Sequence, residues 1–183
     1  MNADAERQQK ELTSLLVLPT AEGAGKVIAR VTLMDVANFD NTFEISKGRS
    51  AGIEPGMPVV TAQGLVGRVQ QAFQNRSTVV ALTDPAFSVG IRMATTGEIG
   101  VAEGTGRDQP LRVGLIEVNS PLKVGDVAVT SGTQHSLFPP GVPVGTVQSS
   151  EAGPRDLRRD VRLTTFVNLH RLDGVAVLQW RPR

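Results

Sequence analysis

Four residues have types that could support covalent chemistry here: Ser131 in Thr130-Ser131-Gly132, Asp126 just upstream, and the two histidines, His135 and His170. A nucleophilic serine needs a base beside it and an acid that orients the base. Both histidines follow Ser131, so the chymotrypsin-type order of base, acid and nucleophile is not met, although convergent triads use other orders. No Gly-x-Ser-x-Gly elbow presents a nucleophile. The histidines have no acidic partner at ligand spacing, and Asp35 and Asp40 lack the ligand density of a calcium loop. Cysteine is absent, which excludes thiolate catalysis, disulfides and cysteine-bound zinc. Gly23-Ala24-Gly25-Lys26 fails as a phosphate loop, because Val27 stands where Ser or Thr is needed and a strand follows instead of a helix. Gly104-Thr105-Gly106 fails the dinucleotide pattern similarly. Asn75-Arg76-Ser77 matches the glycosylation sequon, a pattern with a high chance rate. No catalytic, cofactor or metal site is therefore expected.

The elements that would have to position such residues are mostly strands. At 183 residues, 40% hydrophobic and 20% charged, the chain is a soluble globular one with one or two modest cores. Aromatics make up 4%, with Trp180 the single tryptophan, so the cores must be aliphatic. A net charge of +1 gives no strong field toward nucleic acid. Arg155, Arg158, Arg159 and Arg162 cluster, but Asp156 and Asp160 interleave with them, as on a solvated loop and strand face; a phosphate-binding patch is the minority reading. No apolar run reaches the roughly 18–20 residues of a membrane span.

Residues 3–16 are rich in helix formers and free of glycine and proline, which predicts a helix. Ala5, Gln8, Leu12 and Leu15 fall at heptad a/d spacing, either the end of a coiled coil or an amphipathic terminal helix. Pro19 and Gly23-Ala24-Gly25 read as a hinge. Strands are predicted at 27–34, 43–46, 59–62, 65–73, 78–83, 87–93, 98–102, 111–118, 127–130, 143–149, 160–167 and 174–180. Between them, 47–58 reads as successive tight turns. His135 is placed in the turn Thr133–Pro140 and His170 in a final hairpin.

A glycine-punctuated unit occurs twice. Gly56 to Thr61 followed by Gly64-Leu65-Val66-Gly67-Arg68-Val69 is matched by Gly125 to Thr130 followed by Pro143-Val144-Gly145-Thr146-Val147. Each copy leads into a further strand, Ser77–Thr83 and Arg159–Thr165. A repeated strand–turn–strand–strand unit predicts two small β-barrels related by duplication.

These residues, with Gly52-Ile53-Glu54-Pro55, Leu82-Thr83-Asp84-Pro85, Gly97 to Gly106, Val124 to Gly132, Phe138-Pro139-Pro140-Gly141 and the ending Leu169 to Leu178, resemble the rod shape-determining MreC family over about residues 15–180. The resemblance implies a mainly β fold: two small β-barrels in a chymotrypsin-like but non-catalytic arrangement, preceded by a short helix that ends a coiled coil. It implies a first barrel from 21–75 and 140–183 around an inserted second barrel at 76–139, with 1–20 as coiled-coil end and hinge. Met1 would be a start introduced at truncation, and the transmembrane helix that anchors family members in the inner membrane would be missing. The implied role is an extracytoplasmic, non-enzymatic scaffold of lateral peptidoglycan synthesis and cell shape. The implied partners are the elongation-specific penicillin-binding transpeptidase, MreD, RodZ and further copies of the chain as a homodimer or larger assembly, without nucleic acid. Shallow apolar surfaces and exposed strand edges would do the binding. Phe39, Phe43, Leu137 and Phe138 are the candidate contacts, with core-capping as the competing reading. A divergent hydrolase built on Ser131 and a cell-wall binding module are the alternatives.

Overall fold

The computed structural model describes residues 3–17, 24–34, 41–133 and 136–181. The helix α1 spans Ala3–Val17. Twelve strands follow: β1 Lys26–Met34, β2 Thr42–Ile45, β3 Pro58–Val60, β4 Leu65–Ala72, β5 Ser77–Ala81, β6 Ser88–Met93, β7 Ile99–Glu103, β8 Leu111–Gly114, β9 Val127–Thr130, β10 Pro143–Glu151, β11 Asp160–Thr165 and β12 Gly174–Leu178. The hinge residue Pro19 and the turn residues Asn38 and Asp40 lie outside the described residues, as do Phe39 and His135.

The strands close into two six-stranded barrels, ordered β1-β12-β3-β4-β5-β2 and β10-β11-β8-β7-β6-β9. By contacts the chain divides into a unit of 1–81 with 167–181 and a unit centred on 82–166. These boundaries correct the expected ones. β5 belongs to the first barrel, where Thr42↔Val80 and Gly67↔Ala81 pair it on both sides. β10 and β11 belong to the second, so the first barrel receives only β12 from the C-terminal region. His170 consequently sits in a 3-10 turn, Leu169–Arg171, ahead of β12, and not in a hairpin. β8 is also shorter than expected, because Leu115 takes a φ of 72° and ends the extended run at Gly114.

The repeated unit is visible in atomic detail. β4 lies between β3 and β5, and β10 lies between β9 and β11. Gly56 donates its N–H to the Val69 carbonyl at 2.8 Å, and Gly125 donates to Val147, also at 2.8 Å. Both glycines have φ above 90°, 91° and 94°, where a Cβ would be strained. Each copy then bulges at the same place, after Val69 in β4 and after Val147 in β10. Such bulges increase local twist, and twist is what lets a short sheet close.

The first core is aliphatic and built largely from alternate strand positions, including Ile45, Val59, Val66, Val79, Val175 and Val177, with Ile53 added from the turn before β3. In the second unit Ile91, Met93, Leu111, Ile116 and Leu163 are fully buried. α1 lies against β1 and β12, with Gln8 and Leu12 beside Arg30, Asp173 and Gly174.

Candidate interaction surface

Two of the four expected contact residues are core residues. Phe43 is buried with Ile45 in the first barrel, as its iBiB alternation in β2 requires. Phe138 is buried in the second unit, edge-on to Phe87 with ring centroids 5.7 Å apart. Neither side chain is available to a partner, and this replaces the contact reading for both. We expect Phe43→Ala and Phe138→Ala each to cost about 3–5 kcal/mol in a urea titration, as truncation of a buried phenylalanine does. Leu137 remains exposed, and Phe39 lies outside the described residues. Of the proposed coiled-coil positions, Ala5 is exposed, Gln8 and Leu12 face the chain's own barrel, and nothing is described of the Leu15 side chain.

The expected strand edges are also absent among the described residues, since closure pairs every strand on both sides. The Ser131 hydroxyl has the Thr133 hydroxyl 3.4 Å away as its side-chain neighbour. Among the described residues no group of three or more His, Asp or Glu could hold a metal ion. The arginine cluster is largely structural. Arg159 donates to the Val118 carbonyl at 2.9 Å and the Ser150 hydroxyl at 3.0 Å, and Arg162 lies 3.3 Å from Asp160. At the end of β7, Glu103 raises the pKa of Arg112 on β8 further, chiefly through its hydrogen bond and then its charge; an arginine is ionised in either case.

The surface does carry an asymmetry that composition cannot reveal. Every large hydrophobic residue exposed among the described residues, Ile99, Leu115, Val124, Leu137, Leu157 and Phe166, lies within 82–166. Three of them sit on one locked portion of that unit. Ile99 opens β7, and Leu115 directly follows β8, the strand paired with β7. The segment after Leu115 is bound to the β10–β11 loop: Arg159 N–H donates to the Ile116 carbonyl at 3.0 Å and Val118 N–H to the Leu157 carbonyl at 3.3 Å. An isolated bridge joins Glu117 and Arg158 between them. Leu157 is 86% exposed, yet its backbone is held in place. Exposed apolar groups on an ordered backbone lose little entropy on docking, which is the condition for an interaction hot spot.

Leu115 adds a second sign of the same kind. A positive φ is rare and strained for a branched side chain, and such strain persists where a position serves a purpose other than stability. Leu115→Gly is expected to leave stability unchanged or to raise it by up to about 1 kcal/mol, because relief of strain offsets the greater freedom of glycine when unfolded. Thermal denaturation of the two forms checks this.

Sequence motifs could have exposed part of this surface. Leu157 is a lone leucine in the charged turn Gly153-Pro154-Arg155-Asp156-Leu157-Arg158, whereas Leu115 was hidden by the expectation that β8 runs on to residue 118.

Comparisons with known proteins converge. The barrel-core model of the family described as rod shape-determining protein MreC matches residues 31–179. The cell shape-determining protein MreC of Haemophilus influenzae is 28% identical over 171 residues, 93% of this chain and 48% of that protein. The chain thus spans about half the length of curated relatives, 48% and 47% for the first two. A crystal structure of MreC from Pseudomonas aeruginosa superposes with a TM-score of 0.79 at 27% identity, covering 84% of this chain and 98% of that one. A chain from a complex between Penicillin-Binding Protein (PBP2) and MreC of Helicobacter pylori shares the fold, with a TM-score of 0.65 at 17% identity over 84% of this chain and 98% of that one. No helix among the described residues is long and apolar enough to cross a membrane.

Proposed function

The chain belongs to the MreC family of rod shape-determining proteins, and from that premise we propose that it is a non-catalytic, extracytoplasmic scaffold that docks the elongation-specific penicillin-binding transpeptidase through its second barrel. The observation that carries this reading is the confinement of exposed large apolar side chains to 82–166 among the described residues. Where exposed apolar side chains gather into one patch, they mark an interaction site. The docked PBP2 of the Helicobacter pylori complex supports a transpeptidase as the occupant. The first barrel then serves as the supporting platform, and MreD, RodZ and self-association belong to the same assembly. In the full-length protein a membrane anchor would hold this domain on the wall-building side of the inner membrane.

The test is retention of the detergent-solubilised transpeptidase from the same organism on the immobilised chain. Saturable retention supports the scaffold. Retention of neither the transpeptidase nor a second copy of the chain would remove it.

A further inference from the structure

The first barrel unit contains a cleft of about 830 Å³ between α1 and two turns of the barrel, lined in part by Arg7, Lys10, Gln63, Asn168, Arg171 and Asp173. We propose that this cleft is a binding site for a phosphate- or diphosphate-bearing ligand, separate from the apolar docking surface of the second barrel.

Charge is the first ground. Three full cations face one carboxylate in the cleft, and that carboxylate, Asp173, is already engaged by Arg7 at 3.4 Å. Lys10 and Arg171 make no ion pair among the described residues. The chain as a whole carries only +1, so this concentration is local.

The direction of the neutral groups is the second ground. The Thr61 hydroxyl donates to Gln63 Oε1 at 3.0 Å, and the backbone N–H of Gln63 donates back to Thr61 at 3.3 Å. His170 N–H donates to Asn168 Oδ1 at 3.0 Å. Each amide thus spends its oxygen on its own turn, which leaves its NH₂ as the end able to meet a ligand. Both turns are fixed before binding, so their donors cost little to organise. Helical spacing does the same on the other wall, since residues 7, 10 and 14 share one face of α1 while Gln8 and Leu12 pack toward the barrel.

The three cations and two amide donors of the cleft outnumber its one carboxylate, and that balance favours an anion. A single carboxylate has two oxygens and would use one arginine fork. A phosphate group, with close to two charges and three free oxygens, uses the larger donor set present here.

The site is independent of the scaffold role, because its residues lie in the first unit and the docking surface in the second. Its test is calorimetric titration of the full chain with inorganic pyrophosphate at low ionic strength. A parallel arm measures co-sedimentation with vesicles of phosphatidylglycerol or of phosphatidylcholine. Saturable pyrophosphate binding is expected, weakened about five- to tenfold by Lys10→Ala and by Arg171→Ala and about threefold by Gln63→Ala. Arg158→Ala, an equally exposed cation in the other unit, should leave it unchanged. All four positions are on the surface, and the single Trp180 reports that the first unit remains folded. Anionic vesicle binding lost in the same variants identifies a lipid headgroup as the phosphate source, whereas pyrophosphate binding without vesicle binding identifies a soluble ligand. Absence of saturable binding in both arms overturns the site. So does weakening by Arg158→Ala as large as that by Lys10→Ala, since that signals general surface charge.

Discussion

Gly67→Ala is expected to destabilise the first barrel, and Gly145→Ala the second, each by more than about 3 kcal/mol. Neither glycine has a positive φ, so the cause is collision and not backbone strain. A Cβ at Gly67 would lie 2.0 Å from the Val80 carbonyl oxygen and 3.1 Å from the Ala81 Cα. At Gly145 it would lie 2.2 Å from the Thr164 carbonyl oxygen and 3.2 Å from the Thr165 Cα. The obstacle in each case is backbone of the paired strand, which cannot withdraw without breaking the ladder at Gly67↔Ala81 or Gly145↔Thr165. Overpacking against movable side chains costs about 1–3 kcal/mol, and a fixed backbone should put the cost above about 3. Domains of this kind have only about 5–15 kcal/mol to lose. Urea titrations followed by circular dichroism for both barrels, and by Trp180 fluorescence for the first, measure the effect. Gly114→Ala is the matched control on β8, because its Cβ would meet nothing within 4 Å. A Gly67→Ala midpoint equal to that of Gly114→Ala would show that the strand pairing around β4 is wrong.

The second large effect concerns binding. Replacing Ile99, Leu115 and Leu157 together by serine should weaken transpeptidase binding at least about a hundredfold, if each contributes about 1 kcal/mol or more as hot-spot residues do. Stability should change by no more than about 0.5 kcal/mol per site, since all three are half or more exposed. A matching triple substitution of exposed polar residues on the first barrel, Lys47, Gln70 and Gln71, should leave affinity within about twofold. Biolayer interferometry on the three proteins separates these outcomes.

The two effects differ in how far they could be read from residues alone. Twelve strand segments are legible because alternation and glycine or proline breaks are local signals. The duplication is legible because Gly67 and Gly145 each stand third in their strand, after Leu65-Val66 and Pro143-Val144. Which barrel takes β5, β10 and β11 is not local: it depends on partners such as Thr42↔Val80 and Leu111↔Leu163, which no pattern within a segment encodes. Phe43 was within reach, since it shares a strand face with Ile45 and that face had to be a core. Phe138 lies in an irregular turn with no period to orient it. Leu115 escaped because its exposure follows from one positive φ at the end of β8.

The cleft beside α1 was invisible for the same reason. Lys10, Gln63 and Arg171 come from three distant segments, and only closure of the first barrel brings them together.

The proposed division of labour, a docking barrel carried on a platform barrel, is tested most directly by hydrogen–deuterium exchange of the full chain with and without the transpeptidase. Protection is predicted at the start of β7, at residues 115–118 and at residues 155–158, with the first barrel unchanged. Protection confined to β1–β5, or none at the three segments of the second barrel while the complex is formed, would contradict it.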